Sequence, residues 1–421
     1  MAKIEPFLGI HYNPDIVADI SKVVCPPYDV ISPKEQEDFY QLHTYNLIRL
    51  ILGKELAGDN EKTNKYSRAR DYVDEWLRRS VLVQDKEPAI YFYEQVFKVD
   101  GSKKKRWGFM SLLRIDDEGK DRTVHPHEHT HTAPKEDRLK LIKSVEANLS
   151  PIFTIYSDPK DQARRIFEKA LEGEKPLFDI IDPAGIENRL YRLTDSKLIA
   201  DIREFFSEKE LFIADGHHRY EVARQFRDYK RSTDGVNFKD SYNYILSFFT
   251  PLEDKGLCIL PTHRLIKDVS FDVKALSACF TLKESDSLKS LSEEMRSKAD
   301  DIGVFGLYYQ KKFYLIKLEE KRECNRFIKE GPKEYRDLDV VILHKVIFDN
   351  FIKIQLPQIN YEVNLESAVS KVDSGEYSAL FMLNPTKVEQ IRSIALTGEV
   401  MPQKSTYFYP KLLSGLLINK F

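Results

Sequence analysis

Two runs, AIYFYEQVFKV at 89–99 and RWGFMSLLRI at 106–115, constrain the fold of this chain more than any other feature. Aromatic and β-branched residues fill both, and the polar stretch DGSKKK separates them, so the pair reads as a β-hairpin. Strands this apolar need covering. The segment 63–79 offers a cover, because Tyr66, Ala69, Tyr72, Val73, Trp76 and Leu77 recur at three- and four-residue spacing and make one apolar helical face.

Further elements follow in mixed order. KEDRLKLIKSVEANL has a helical pattern that stops before Ser150-Pro151, and the apolar run PIFTIY comes next. Asp158-Pro159 carries the cap and first-turn proline of another helix, with Ala163, Ile166, Phe167, Ala170 and Leu171 on one face. A Pro- and Asp-rich loop, a helix at 196–207, the strand LFIA and a helix from about Arg219 continue the chain. YNYILSFFT and LCILPTHRL read as strands, whereas 267–300 is more polar and weakly patterned. Beyond it lie a hairpin (VFGLYY, KFYLIKL), a helix at 339–351, the strand ALFML, a helix from Pro385, and the tail MPQKSTYFYPKLLSGLL.

Without a strict strand–helix–strand rhythm, the class is α+β rather than a doubly wound sheet. At 421 residues the chain exceeds the usual size of one domain. The division is expected near residue 266, giving 1–266, with a core at about 106–266, and a C-terminal α/β region at 267–421.

Charge decides among partner classes. Lys+Arg 65 nearly balance Asp+Glu 67, which speaks against a broad nucleic-acid or membrane footprint. The first residues, MAKIEPFLGI, carry Lys3 and Glu5 and build no apolar stretch of leader length; a cytoplasmic protein is the expectation. Cys25, Cys258, Cys279 and Cys324 lie far apart with no CxxC pair, as expected of buried, reduced thiols.

Histidines cluster. His125, His127, His129 and His131 alternate, His217 and His218 are adjacent, and His263 precedes Arg264. Alternation fits either one polar face of a strand or a set of converging imidazoles, but the nearby thiolates of many zinc sites are absent.

The stretch ADGHHRYEVA, 214–223, has sharper chemistry. A glycine after a buried strand lets backbone approach a ligand, and the helix that follows presents N–H groups and a positive dipole end to an anion. Gly216, His217, His218 and Arg219 are therefore candidate phosphate contacts, and Asp215 either caps the helix or holds a divalent cation. In MPQKSTYFYPK, Lys404, Ser405, Thr406 and Lys411 surround three aromatics and can clamp an oxyanion, or form a solvated loop. VVCPPYDVIS places Tyr28 and Asp29 behind a stiff Pro26-Pro27 turn.

GHHRYEVA resembles the G-x-x-R-x-x-A type box of the ParB/sulfiredoxin superfamily. His217 stands where sulfiredoxins carry their reactive cysteine, so sulfinic-acid repair is not expected. The order His127-Glu128, a helix, Pro151-Ile152 and Asp215 to Arg219 is similar to the free-serine kinases of that superfamily. KVVCPPYDVIS, HEHT, NLSPIF, ADGHHRY, LPTHR and MPQKSTYFYPK together resemble a large, long-uncharacterised bacterial and archaeal family related to those kinases.

The resemblance implies a ParB/sulfiredoxin-like core with large insertions. It also implies transfer of a phosphoryl group from ATP, ADP or pyrophosphate to the hydroxyl of L-serine. Glu128 would be the base, and Asp215 the Mg²⁺ ligand. Gly216, His217, His218, Arg219, Lys404, Ser405, Thr406 and Lys411 would cradle phosphates, while His127, Thr130, Tyr28, Asp29, His263 and Arg264 would contact substrate. Two other readings stand beside this one: a nucleotide-dependent switch module of the ParB kind, which would need a basic helix-turn-helix that is not seen, and a metal-dependent phosphohydrolase.

Overall fold

A computed structural model describes residues 2–117, 119, 122–128, 132–319 and 326–421. The chain packs as two compact units, each assembled from separated stretches. The first comprises Met1–His125, Thr130–Cys258 and Pro410–Phe421; the second comprises Pro126–His129 and Ile259–Tyr409. Against an expected division near 266, the chain leaves the first unit after Cys258 and re-enters it at Pro410. No helix among the described residues is long and apolar enough to cross a membrane.

The first unit is built on a nine-stranded mixed sheet. Its path runs Val124–His125, Leu211–Asp215, Ile152–Tyr156, Tyr244–Pro251, Ser102–Arg114, Ile90–Val99, Glu187–Leu193, Phe178–Ile181, with Ile4–Glu5 added beside Ser102–Arg114. Leu211–Asp215 runs parallel to Val124–His125, and Tyr244–Pro251 runs parallel to Ile152–Tyr156. The expected hairpin forms, but its turn is confined to Asp100 and Gly101, with φ of 49° and 75°. Two successive positive φ values match the twist of the flanking strands. The lysines of SKKK therefore join the ladder instead of the turn.

On one face Phe92, Trp107, Phe109 and Phe249 pack against Phe167, Ile202 and Phe206 from the helices Gln162–Ala170 and Ser196–Phe206. Phe109 is fully buried and stacks on Phe249 at 4.9 Å between centroids; truncating such a ring to alanine costs ~3–5 kcal/mol. Asp158 does cap the first of these helices, accepting the Gln162 and Ala163 N–H groups at 3.0 and 2.9 Å, yet the helix begins only at Gln162. The loop expected after it contains the hairpin Phe178–Ile181 and Glu187–Leu193, tied at its turn by Asp182, which accepts from Ala184 and Ile186.

The second unit holds a six-stranded antiparallel sheet in the order Phe280–Ser285, Lys312–Leu318, Val304–Tyr309, Ala379–Leu383, His263–Ile266, Ile359–Glu362. Leu265, Leu380 and Met382 of the sheet meet Leu291, Met295 and Ala368 on one side. Phe348, from the π-helical turn Leu343–Ile352, packs on Phe381 at 5.1 Å. The polar stretch 267–300 lies within the second unit. It supplies the edge strand Phe280–Ser285 and the helix Leu288–Ser297, whose exposed faces account for its weak pattern.

Candidate functional site

In the first unit the strand Leu211–Asp215 ends on a carboxylate, and Gly216 turns the chain directly into the helix His217–Asp234. Gly216 has φ of +91°, a left-handed value that a side chain resists, and a Cβ there would lie 3.0 Å from the Arg219 guanidinium. The helix starts at His217, two residues before its expected start, because the glycine itself is the cap. First-turn N–H groups have no intrahelical acceptor, so this junction presents donors and the positive end of an 18-residue helix.

Three charges meet at the junction. Asp215 Oδ1 lies 2.6 Å from Lys411 Nζ, and Asp215 Oδ2 accepts from Arg219 Nη2 at 2.7 Å. All three side chains are at least four-fifths buried, so the pairs are only weakly screened. Arg219 also donates to the Pro151 carbonyl, which joins the Pro151-Ile152 step to the same turn. His217 is buried and His218 half-buried. A cavity of about 60 Å³ adjoins Arg219 and is lined further by Tyr28, Arg138, Asn148, Ser150 and Val222. Arg138 stacks on the Tyr28 ring at 4.1 Å, while Asp29 is exposed.

The second unit gathers the other predicted residues. Glu128 is half-buried, and its Oε1 accepts the Lys404 N–H at 2.7 Å. His127 is fully buried, hydrogen-bonded through Nε2 to Thr406 Oγ1 at 3.2 Å. Lys404 has φ of +53°, a strained value for a lysine, and its carbonyl is held at 3.2 Å by Arg264 Nη2. Arg264 is fully buried against the Tyr361 ring, also donates to the Thr262 carbonyl, and is pulled by burial to a pKa of about 10. Ser405 spends its hydroxyl on the Pro402 carbonyl at 2.5 Å.

His263 is a buried core histidine. Its Nδ1 accepts the Leu383 N–H at 3.2 Å, and burial lowers its pKa to about 4. Thr130, with His129 and His131, lies outside the described residues.

Sequence reasoning missed Arg106, Gln95 and Asn188. They stand opposite one another on three neighbouring strands and are all buried. Arg106 Nη2 donates to the Pro410 carbonyl at 2.6 Å, next to Lys411. The available signal was a glutamine inside the apolar run YFYEQVF, since a polar residue in a two-sided strand needs a partner.

Among the described residues no group of three or more His, Cys, Asp or Glu side chains could hold a metal ion. Asp215 is a single carboxylate with an N–H donor on each oxygen. Mg²⁺ is commonly held by one or two carboxylates together with substrate phosphates, and Asp215 offers that type of ligand.

No curated protein matches the chain. Among solved structures, a conserved hypothetical protein from Pyrococcus furiosus is similar at 15% identity and a TM-score of 0.36, covering 74% of this chain and 95% of that one. A free serine kinase variant in complex with ADP is 13% identical with a TM-score of 0.37, over 71% of this chain and 87% of its own. SbnI with a C-terminal truncation, from Staphylococcus aureus, is 10% identical with a TM-score of 0.36, over 74% and 87%. Likenesses this distant say nothing about activity. A family model described as a protein of unknown function, DUF1015, matches residues 4–341, well over half of the chain, and the chain belongs to that family.

Proposed function

We propose that this chain is a small-molecule kinase that phosphorylates the hydroxyl of free L-serine, with ATP, ADP or pyrophosphate as donor. One observation carries the reading: Asp215, Arg219 and Lys411 converge on the left-handed Gly216 at a helix N-terminus. A strand–glycine–helix junction with two cations suits a phosphate group. The resemblance of DGHHR and its upstream His127-Glu128 and Pro151-Ile152 to a ParB/sulfiredoxin-like kinase core supports the acceptor.

Phosphoryl transfer needs in-line positioning, charge neutralisation and a place for the hydroxyl proton. By that resemblance Glu128, whose Oε1 accepts the Lys404 N–H, takes the hydroxyl proton. Gly216, His217, His218, Arg219 and Lys411 bind the donor's phosphates. Asp215 holds Lys411 and Arg219 in place and would hold Mg²⁺ entering with the donor, which supplies further neutralisation of phosphate charge. The serine oxygen forms the new P–O bond, and the bond from phosphorus to the donor's bridging oxygen breaks. ADP, AMP or orthophosphate leaves, according to the donor.

The test separates a kinase from a phosphohydrolase. Each donor is incubated with Mg²⁺ and the protein, with and without L-serine, and donor consumption is followed. Consumption that requires serine supports the kinase; consumption at equal rate without serine would replace it with hydrolysis.

A further inference from the structure

We infer that Gln95 and Arg106 are positioning residues that fix Lys411 at Asp215. The inference deepens the proposed function, since it takes Lys411 as a phosphate-binding residue. A lysine amine sits on a flexible four-carbon stem, so its placement depends on where its backbone is held. Both carbonyls flanking the Lys411 Cα are held from the sheet. Arg106 Nη2 donates to the Pro410 carbonyl at 2.6 Å, and Gln95 Nε2 donates to the Lys411 carbonyl at 3.4 Å.

These two side chains are themselves fixed. Gln95 accepts from Arg106 through Oε1, and its Nε2 also donates to Asn188 Oδ1 at 3.1 Å. Asn188 Oδ1 takes a second bond from the Tyr93 hydroxyl at 2.5 Å, and its Nδ2 donates to Asp182 at 3.3 Å. Arg106 is fully buried, with its guanidinium 4.9 Å from the Phe153 ring and 5.9 Å from that of Phe248. Gly108, two residues along the same strand, leaves the room, since a Cβ there would meet the Phe248 ring at 2.4 Å. Phe153 is the sheet partner of Asp215. The network thus runs along the sheet from Asp182 to the strand beside the Asp215 strand, and the chain segment it grips is the one that brings in the amine.

A buried cation is costly unless its donors are matched, and a residue kept for shape alone would be cheaper as an apolar one. What the planar guanidinium adds is two fixed directions, one to Gln95 and one to Pro410.

A double-mutant cycle on the full chain tests this. Gln95→Met, Lys411→Met and the double variant are compared for the donor KM and kcat of O-phosphoserine formation. Lys411 is also labelled with acetic anhydride and quantified by peptide mass spectrometry. Gln95→Met should raise the donor KM about 10-fold, a loss of the size expected from one hydrogen-bonded support, and should add nothing once Lys411 is Met. Acetylation of Lys411 should rise several-fold in Gln95→Met. Arg106→Lys should behave alike; if it fails to fold, Gln95→Met alone decides. Additive losses, or unchanged acetylation in a folded Gln95→Met, would overturn the inference. Absence of O-phosphoserine from the unmutated chain would defeat the kinase reading instead, and the labelling result would still judge the positioning.

Discussion

Lys411 Nζ stands 2.6 Å from Asp215 Oδ1, and this pair joins the end of the MPQKSTYFYPK segment to the end of the strand Leu211–Asp215. A motif at residue 215 and one at residue 411 therefore form a single charged group inside one compact unit.

Replacing Asp215 by asparagine keeps the shape and removes the charge. Lys411 and Arg219 then lose their counter-ion in a mostly buried place. We expect a loss of about 10²-fold in kcat/KM, the scale seen when one electrostatic contact to a transition state is removed. The Mg²⁺ dependence should also weaken. A metal titration unchanged from wild type would remove Asp215 from the metal-binding role.

Gly216→Ala forces a side chain into φ of +91° and against the Arg219 guanidinium. Strain of this kind costs ~1–3 kcal/mol. Urea denaturation should show the first unit destabilised by an amount in that range, and the variant should bind pyrophosphate or ADP more weakly. Full stability would mean that the turn relaxes at no cost.

Glu128→Gln retains an oxygen for the Lys404 N–H, so melting should be unchanged. Without a base the turnover should fall by about 10² to 10⁴. Near-wild-type turnover would take Glu128 out of the mechanism.

Two histidines set an acid limit on the second unit. Burial holds His263 at about 4 and His344 at about 3, both below the ordinary histidine value. Below pH 6.5 an unfolded chain takes up protons that these folded histidines refuse, so stability is full above about 6.5 and declines as pH falls toward 4. Each refused proton is worth ~1.4 kcal/mol per pH unit. His344→Phe, beside Phe348 at 5.0 Å, should flatten that decline, which denaturation at pH 7 and pH 5 measures. An identical slope in the variant would contradict the assignment.

The central strands and the amphipathic helices were legible because their apolar residues follow periods of two and of about 3.6. The strand at 102–105 was not, because lysines at a sheet's end look like a turn. Phe280–Ser285 was missed for a related reason: an edge strand with one buried face shows little hydrophobic pattern. The chemistry at Asp215 to Arg219 could be read from adjacency in sequence. Gln95, Arg106 and Asn188 could not, since only the pairing register of three strands places them together under Lys411. Arg264 was visible as a charged residue, but not that its reach is spent on the Lys404 carbonyl.

The most direct measurement is mass-spectrometric detection of O-phosphoserine after the purified chain is given L-serine, Mg²⁺ and, in separate reactions, ATP, ADP and pyrophosphate. Stoichiometric O-phosphoserine is expected with at least one donor, formed about 10²-fold or more slowly by Asp215→Asn and Glu128→Gln. No O-phosphoserine with any of the three donors would contradict it.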